Sequence, residues 1–166
     1  MSLCSPRSPL PLLLAVGSLL TSAAALAAPP TPAHWAVQGP KAPVAPGASF
    51  TLTLTAHIDP GWHIYALEEP EGGPIATQIG LAEGDPLTLL DVAEPEPRMV
   101  PDPVLRQTTG MFQNAAEFTL RVRAPHTAPP SGAVSLILVR YQSCNDQICL
   151  PPHTETITLP LRGVVR

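Results

Sequence analysis

Ser49-Phe50-Thr51-Leu52-Thr53-Leu54-Thr55-Ala56-His57 is the stretch whose reading decides the fold. Phe50, Leu52, Leu54 and Ala56 alternate with Thr51, Thr53, Thr55 and His57. A period of two places these sets on opposite faces of an extended chain, and threonine suits a pleated, half-wet surface. The segment reads as a half-buried strand. Asp59-Pro60-Gly61 ends it with a strong turn signal, because proline presets one backbone angle and glycine accepts positive φ.

Further strands are predicted on both sides of it. Trp62 to Ala66, Ile75 to Leu81, Leu87 to Val92, Glu117 to Arg123 and Thr154 to Leu159 each carry strand-forming residues between turn signals. Ala133 to Tyr141 is a continuous apolar run, which predicts a central strand buried on both faces. Ala28 to Gly47 carries six prolines and reads as an extended arm or first edge strand. Glu94 to Thr109, with four prolines, reads as a long loop. The 23 prolines of the chain argue against long helices, and no window shows a helical stripe. The expectation is an all-β fold, an immunoglobulin-like β-sandwich of about seven or eight short strands.

Residues 1–27 read as a secretory signal peptide, with the domain running over 28–166. Arg7 supplies the positive start, Leu10 to Leu20 the apolar stretch, and Ala25-Leu26-Ala27 the small-x-small cleavage pattern. The apolar stretch is shorter than the roughly 20 residues that cross a bilayer, so an uncleaved anchor is the weaker reading. Cys4 precedes the apolar run, whereas a lipoprotein cysteine would follow it, and it should leave with the signal. With Arg7 gone, eight basic residues face thirteen acidic ones. No basic stripe remains to bind nucleic acid, and no later segment resembles a membrane span.

Two cysteines then remain, Cys144 and Cys149, in a compartment where disulfides persist. Fully extended, the chain would hold their Cα atoms roughly 17 Å apart, and a disulfide needs about 4.4 to 6.8 Å. Asn145-Asp146-Gln147-Ile148 must therefore turn back tightly. Pro151 and Pro152 stiffen the exit. A bridge closing so short a loop stabilises by only about 2 kcal/mol, less than one joining distant strands. By spacing alone the pair reads equally as a labile exchange site or as a structural staple.

Tyr141-Gln142-Ser143-Cys144-Asn145-Asp146-Gln147-Ile148-Cys149-Leu150-Pro151-Pro152 resembles the redox motif of the DsbD N-terminal domain family. Pro60-Gly61-Trp62-His63-Ile64-Tyr65 resembles the aromatic strand beside the cysteines in that family. Gly72-Gly73-Pro74 and Pro101-Asp102-Pro103 fall at similar relative positions, so the resemblance spans nearly the whole mature chain. It implies an immunoglobulin-like fold in the periplasm and thiol–disulfide exchange, as a component of a protein-disulfide reductase. The electron donor would be a thioredoxin-like protein or a membrane electron carrier, and the acceptors periplasmic disulfide proteins. Cytochrome c maturation, isomerase recycling and metal-stress defence are possible destinations. Cys149 would form mixed disulfides with partners and Cys144 would resolve them. His63 and Tyr65 would flank the pair. A cap loop, here Met99 to Thr109, would shield it through Val104 and Leu105, aliphatic where the family has an aromatic residue. The family's full-length protein continues into a membrane domain and a thioredoxin-like domain, so this chain is expected to act as a free-standing module.

Two other classes of function compete. A non-catalytic binding module would carry the disulfide as a staple, since a β-sandwich alone does not specify function. A copper protein could use cysteine, Met99 or Met111, because soft sulfur favours Cu(I). The histidines are scattered, however, and no metal-ligand spacing occurs, so neither metal nor cofactor is expected. A buried staple should resist reduction, whereas an exchange site should present a sulfur at a rim.

Overall fold

The computed structural model describes residues 31–102, 107–162, 164 and 165. Every helix-or-strand element among them is a strand. In chain order these are β1 (Ala33–Gln38), β2 (Ser49–Ile58), β3 (His63–Tyr65), β4 (Gln78–Leu81), β5 (Thr88–Ala93) and β6 (Arg98–Asp102). They continue with β7 (Gln107–Phe112), β8 (Ala115–Arg123), β9 (Val134–Tyr141), β10 (Ser143–Cys144) and β11 (His153–Pro160). All pairings between these strands are antiparallel. One sheet has the order β1-β2-β8-β5, a second β10-β3-β7-β6, and a third β11-β9-β4. The all-β expectation holds. The expected signal peptide lies outside the described residues.

The alternation in Ser49 to His57 works as its period demands. Leu52, Leu54 and Ala56 are fully buried, and their β8 partners Leu120, Phe118 and Ala116 face the same core. From the third sheet, Ile137, Val139 and Tyr141 of β9 join that single cluster. Aromatic rings link the sheets in series. Phe112 of β7 packs on Phe118 of β8 at 5.5 Å between centroids, Trp35 of β1 on Phe118 at 5.7 Å, and Trp35 on Tyr141 at 5.5 Å. Each such pair adds about 0.5–1.5 kcal/mol beyond the area it buries.

The turns explain how the chain changes sheets. At Asp59-Pro60-Gly61 the Trp62 amide donates to the Asp59 carbonyl at 3.1 Å, and Gly61 has φ +82°. A side chain there would be forced into the left-handed region. Asn114, with φ 65°, makes the corner between β7 and β8, and its carbonyl accepts from the Ile58 amide at 2.7 Å. Asp85 ties its turn to β9. Its carboxylate accepts from the Leu87 amide, the Ser135 hydroxyl and the Leu136 amide at 2.9, 2.9 and 2.7 Å.

Two sequence expectations change. Glu94 to Thr109 is not one long loop: Arg98 to Asp102 pairs with Gln107 to Met111 as the hairpin β6–β7, and residues 103–106 lie outside the described residues. Pro97 and Pro101 hide the strand from sequence patterning, yet proline is tolerated on an edge strand, and β6 is the edge of its sheet. β9 is central in its sheet but is not buried on both faces. Ser135, Ile137, Val139 and Tyr141 are buried, while Leu136, Leu138 and Arg140 are half-buried on the outer face of a three-stranded sheet.

The hairpin lies close over the loop that follows β3. A Cβ on Gly110 would meet the Ala66 Cβ at 2.9 Å and the Pro97 Cβ at 3.2 Å, with no flexible side-chain end to yield. Gly110→Ala is expected to lower stability by about 1–3 kcal/mol, the usual range for overpacking, read as a fall in the urea midpoint. An unchanged midpoint would mean that the hairpin shifts without cost.

Candidate functional site

β9 ends at the buried Tyr141, and the chain then crosses from the third sheet into the second. Gln142 clamps that crossing. Its Oε1 accepts from the Ile75 amide at 3.3 Å, and its Nε2 donates to the Leu150 carbonyl at 3.1 Å. Next, β10 pairs with β3, setting Ser143 opposite Ile64 and Cys144 opposite His63. Cys144 is 1% exposed.

The predicted tight loop follows. The Asn145 amide donates to the Ile148 carbonyl at 2.9 Å, and the Leu150 amide to the Ser143 carbonyl at 2.9 Å. The Asn145 side chain closes the inside of the turn, its Oδ1 accepting from the Gln147 and Ile148 amides at 2.9 and 2.8 Å. An asparagine bonding the amides two and three residues on is an Asx turn. These bonds bring the Cα atoms of Cys144 and Cys149 to 4.1 Å, and the two cysteines form a disulfide. Cys149 itself is exposed, as are Asp146, Gln147 and Ile148.

The pair opens onto a cavity of about 730 Å³, within the range of about 300–1,000 Å³ usual for ligand clefts. His63 and Tyr65 line it together with both cysteines. The Tyr65 hydroxyl lies 3.3 Å from His63 Nε2, and the two rings meet edge-on at 5.3 Å. Four of the residues singled out in the sequence thus share one cavity. Val104 and Leu105 lie outside the described residues. Arg98 and Met111 of the β6–β7 hairpin also reach the wall. Sequence reasoning did not name Arg98 and named Met111 only as a candidate copper ligand, because the hairpin was hidden, and it missed Gln142 as a clamp. Asn145, two and three residues ahead of the amides it caps, was the local signal available.

His63 converges on Cys144, but among the described residues no group of three or more His, Cys, Asp and Glu side chains is placed to hold a metal ion. No helix among them is long and apolar enough to cross a membrane.

Carboxylates brace the loop behind the site. Glu69 Oε1 accepts from the Ala66 and Gly110 amides at 3.3 and 3.0 Å, and Glu94 Oε2 from the Leu67 amide at 2.6 Å. Burial raises the Glu69 carboxyl above its usual range, the two amides oppose that, and Glu94 adds to it. The folded state therefore holds this proton more tightly than the unfolded chain. The contribution to stability is present below the ordinary carboxylate range and is lost as pH rises through the raised value.

A family model described as "Thiol:disulfide interchange protein DsbD, N-terminal" matches residues 33–161. The chain belongs to the DsbD N-terminal domain family. Among solved structures, the reduced form of the Neisseria meningitidis DsbD N-terminal domain is similar to it. The match covers 72% of this chain and 80% of that one, with 14% sequence identity and a TM-score of 0.46. No curated protein matches this chain. Membership of the DsbD N-terminal domain family implies thiol–disulfide exchange, and the close Cys144–Cys149 pair is the group here with that chemistry.

The Asn145 turn holds the two sulfurs in reach of one another. Each hydrogen bond of this kind contributes about 0.5–1.5 kcal/mol, and about 30 mV corresponds to 1.4 kcal/mol for a two-electron couple. Asn145→Ala removes two such bonds and is therefore expected to raise the reduction potential of the pair by roughly 20–65 mV, measured by equilibration in glutathione buffers. No shift would show that the backbone alone closes the loop.

Proposed function

We propose that this domain relays electrons in the periplasm through Cys144 and Cys149. The donor is a thioredoxin-like protein or a membrane electron carrier, and the acceptors are periplasmic proteins bearing disulfides. The observation that carries this reading is the asymmetry of the pair: Cys149 is exposed on a loop while Cys144 is 1% exposed beneath it. A staple gains nothing from such an arrangement. An exchange site needs one sulfur that a partner can reach and one that it cannot.

In the reduced domain the Cys149 thiolate attacks one sulfur of the partner's disulfide. That S–S bond breaks, the partner's other sulfur leaves as a thiolate and takes a proton, and Cys149 is joined to the partner. Cys144 then attacks the Cys149 sulfur, and the second partner sulfur leaves. The partner has gained two electrons and two protons, and the domain has become a disulfide. Recharging runs in reverse: a donor thiolate attacks the exposed Cys149 sulfur, Cys144 is the first leaving group, and the donor ends as a disulfide.

His63 and Tyr65 would flank the reacting sulfurs, and Val104 and Leu105 would shield them. The signal-like residues 1–27 and the disulfide support a periplasmic setting, where such bonds persist. Cytochrome c maturation is one process that such a reductant could supply.

Cys149→Ser is expected to abolish mixed-disulfide formation with the disulfide form of a thioredoxin-like protein, and Cys144→Ser, which lacks the thiol that displaces the partner, to trap it, as read on non-reducing gels. Equal behaviour of the two variants would contradict the assigned roles. The reduction potential is expected between roughly −180 and −270 mV, among known exchange proteins, and a value below about −300 mV would mark a structural bridge.

A further inference from the structure

Arg98 is the only lysine or arginine among the described residues that line the cavity beside the disulfide. It sits on the edge strand β6 opposite Met111, and one guanidinium N–H donates to Gln113 Oε1 at 3.3 Å. The cysteine loop contributes a single carboxylate to the lining, Asp146. A chain with an excess of acidic residues thus lines the cleft beside its disulfide with one guanidinium and one carboxylate, carried on one edge strand of the sheet, β6, and on the loop that follows the other, β10. The volume of about 730 Å³ suits a ligand of small-peptide size. A guanidinium is the side chain best shaped to take a carboxylate, through two parallel N–H donors.

We propose that Arg98 is a specificity residue of the exchange site, and that the cleft takes dipolar small-peptide thiols and their disulfides, of which glutathione is the type. A carboxylate of the peptide pairs with Arg98, its ammonium faces Asp146, and its sulfur is presented to Cys149. This rests on the exchange reading above and narrows it to a substrate class. The reaction balances without a further reactant. The Cys149 thiolate attacks one sulfur of glutathione disulfide, and the first glutathione leaves as a thiolate and is protonated. Cys144 attacks the Cys149 sulfur, and the second glutathione leaves in the same way. The domain loses two electrons and two protons, and one glutathione disulfide becomes two glutathiones.

The test mixes the reduced, desalted protein with glutathione disulfide and, separately, with the uncharged 2-hydroxyethyl disulfide, counting free thiols after acid quench. Arg98→Gln is expected to slow oxidation by glutathione disulfide roughly two- to fivefold, the range of an exposed ion pair. The rate with 2-hydroxyethyl disulfide should not change. Arg98→Lys should retain most of the wild-type rate, and raising the salt should erase the difference between wild type and Arg98→Gln. Equal slowing with both disulfides, or no slowing with either, overturns the assignment of Arg98 and leaves the exchange reading standing. If the wild-type domain is oxidised by neither disulfide, the exchange reading fails and takes the assignment with it.

Discussion

A buried phenol anchors the end of the fold that carries the cysteines. Tyr141 is 2% exposed, packs its ring on Trp35, and meets the ring of His153 edge-on at 5.9 Å. Its hydroxyl donates to the Ala33 carbonyl at 3.2 Å and lies 3.4 Å from a Glu155 carboxylate oxygen. A phenol in such surroundings must find hydrogen-bond partners, because an unpaired buried hydroxyl is costly. Burial first, and then the nearby Glu155 charge, push its pKa up to about 12, so it stays protonated and keeps donating at any ordinary pH. One side chain thereby holds β1, β9 and β11 together, three residues ahead of Cys144.

The chain has one residue, Gln142, in which to leave that anchored strand and enter another sheet. An amide side chain suits the position because it can donate and accept at once. It does both, reaching Leu150 beyond the second cysteine and Ile75 beyond β3. Entry to and exit from the cysteine loop are thus fixed by the same residue. The first cysteine belongs to a paired strand, the second to an exposed turn, and the unequal exposure of the two residues follows from that division.

Strands whose patterning matches their environment were legible in the sequence. Ser49 to His57 and Glu117 to Arg123 alternate because one face of each meets the core and the other meets solvent, so periodicity and burial report the same fact. β6 was not legible, because its register comes from pairing with β7 and its prolines erase the local signal. β9 was legible as a strand but not in its burial. Leu136 and Leu138 are apolar whichever face they take, and only the number of strands in the sheet decides how far they are covered.

The cysteine site divides in the same way. The sequence by itself determined the cysteine pair, the tight turn between the cysteines and the neighbouring aromatic strand, because spacing, turn chemistry and motif act over a few bonds. The tertiary structure alone decided which cysteine is exposed, that His63 stands across from Cys144, and that Arg98 and Met111 line the cavity. Those relations join residues dozens of positions apart through hydrogen bonds between strands. Such pairings depend on how whole sheets stack around a shared core, which no local stretch of chain encodes.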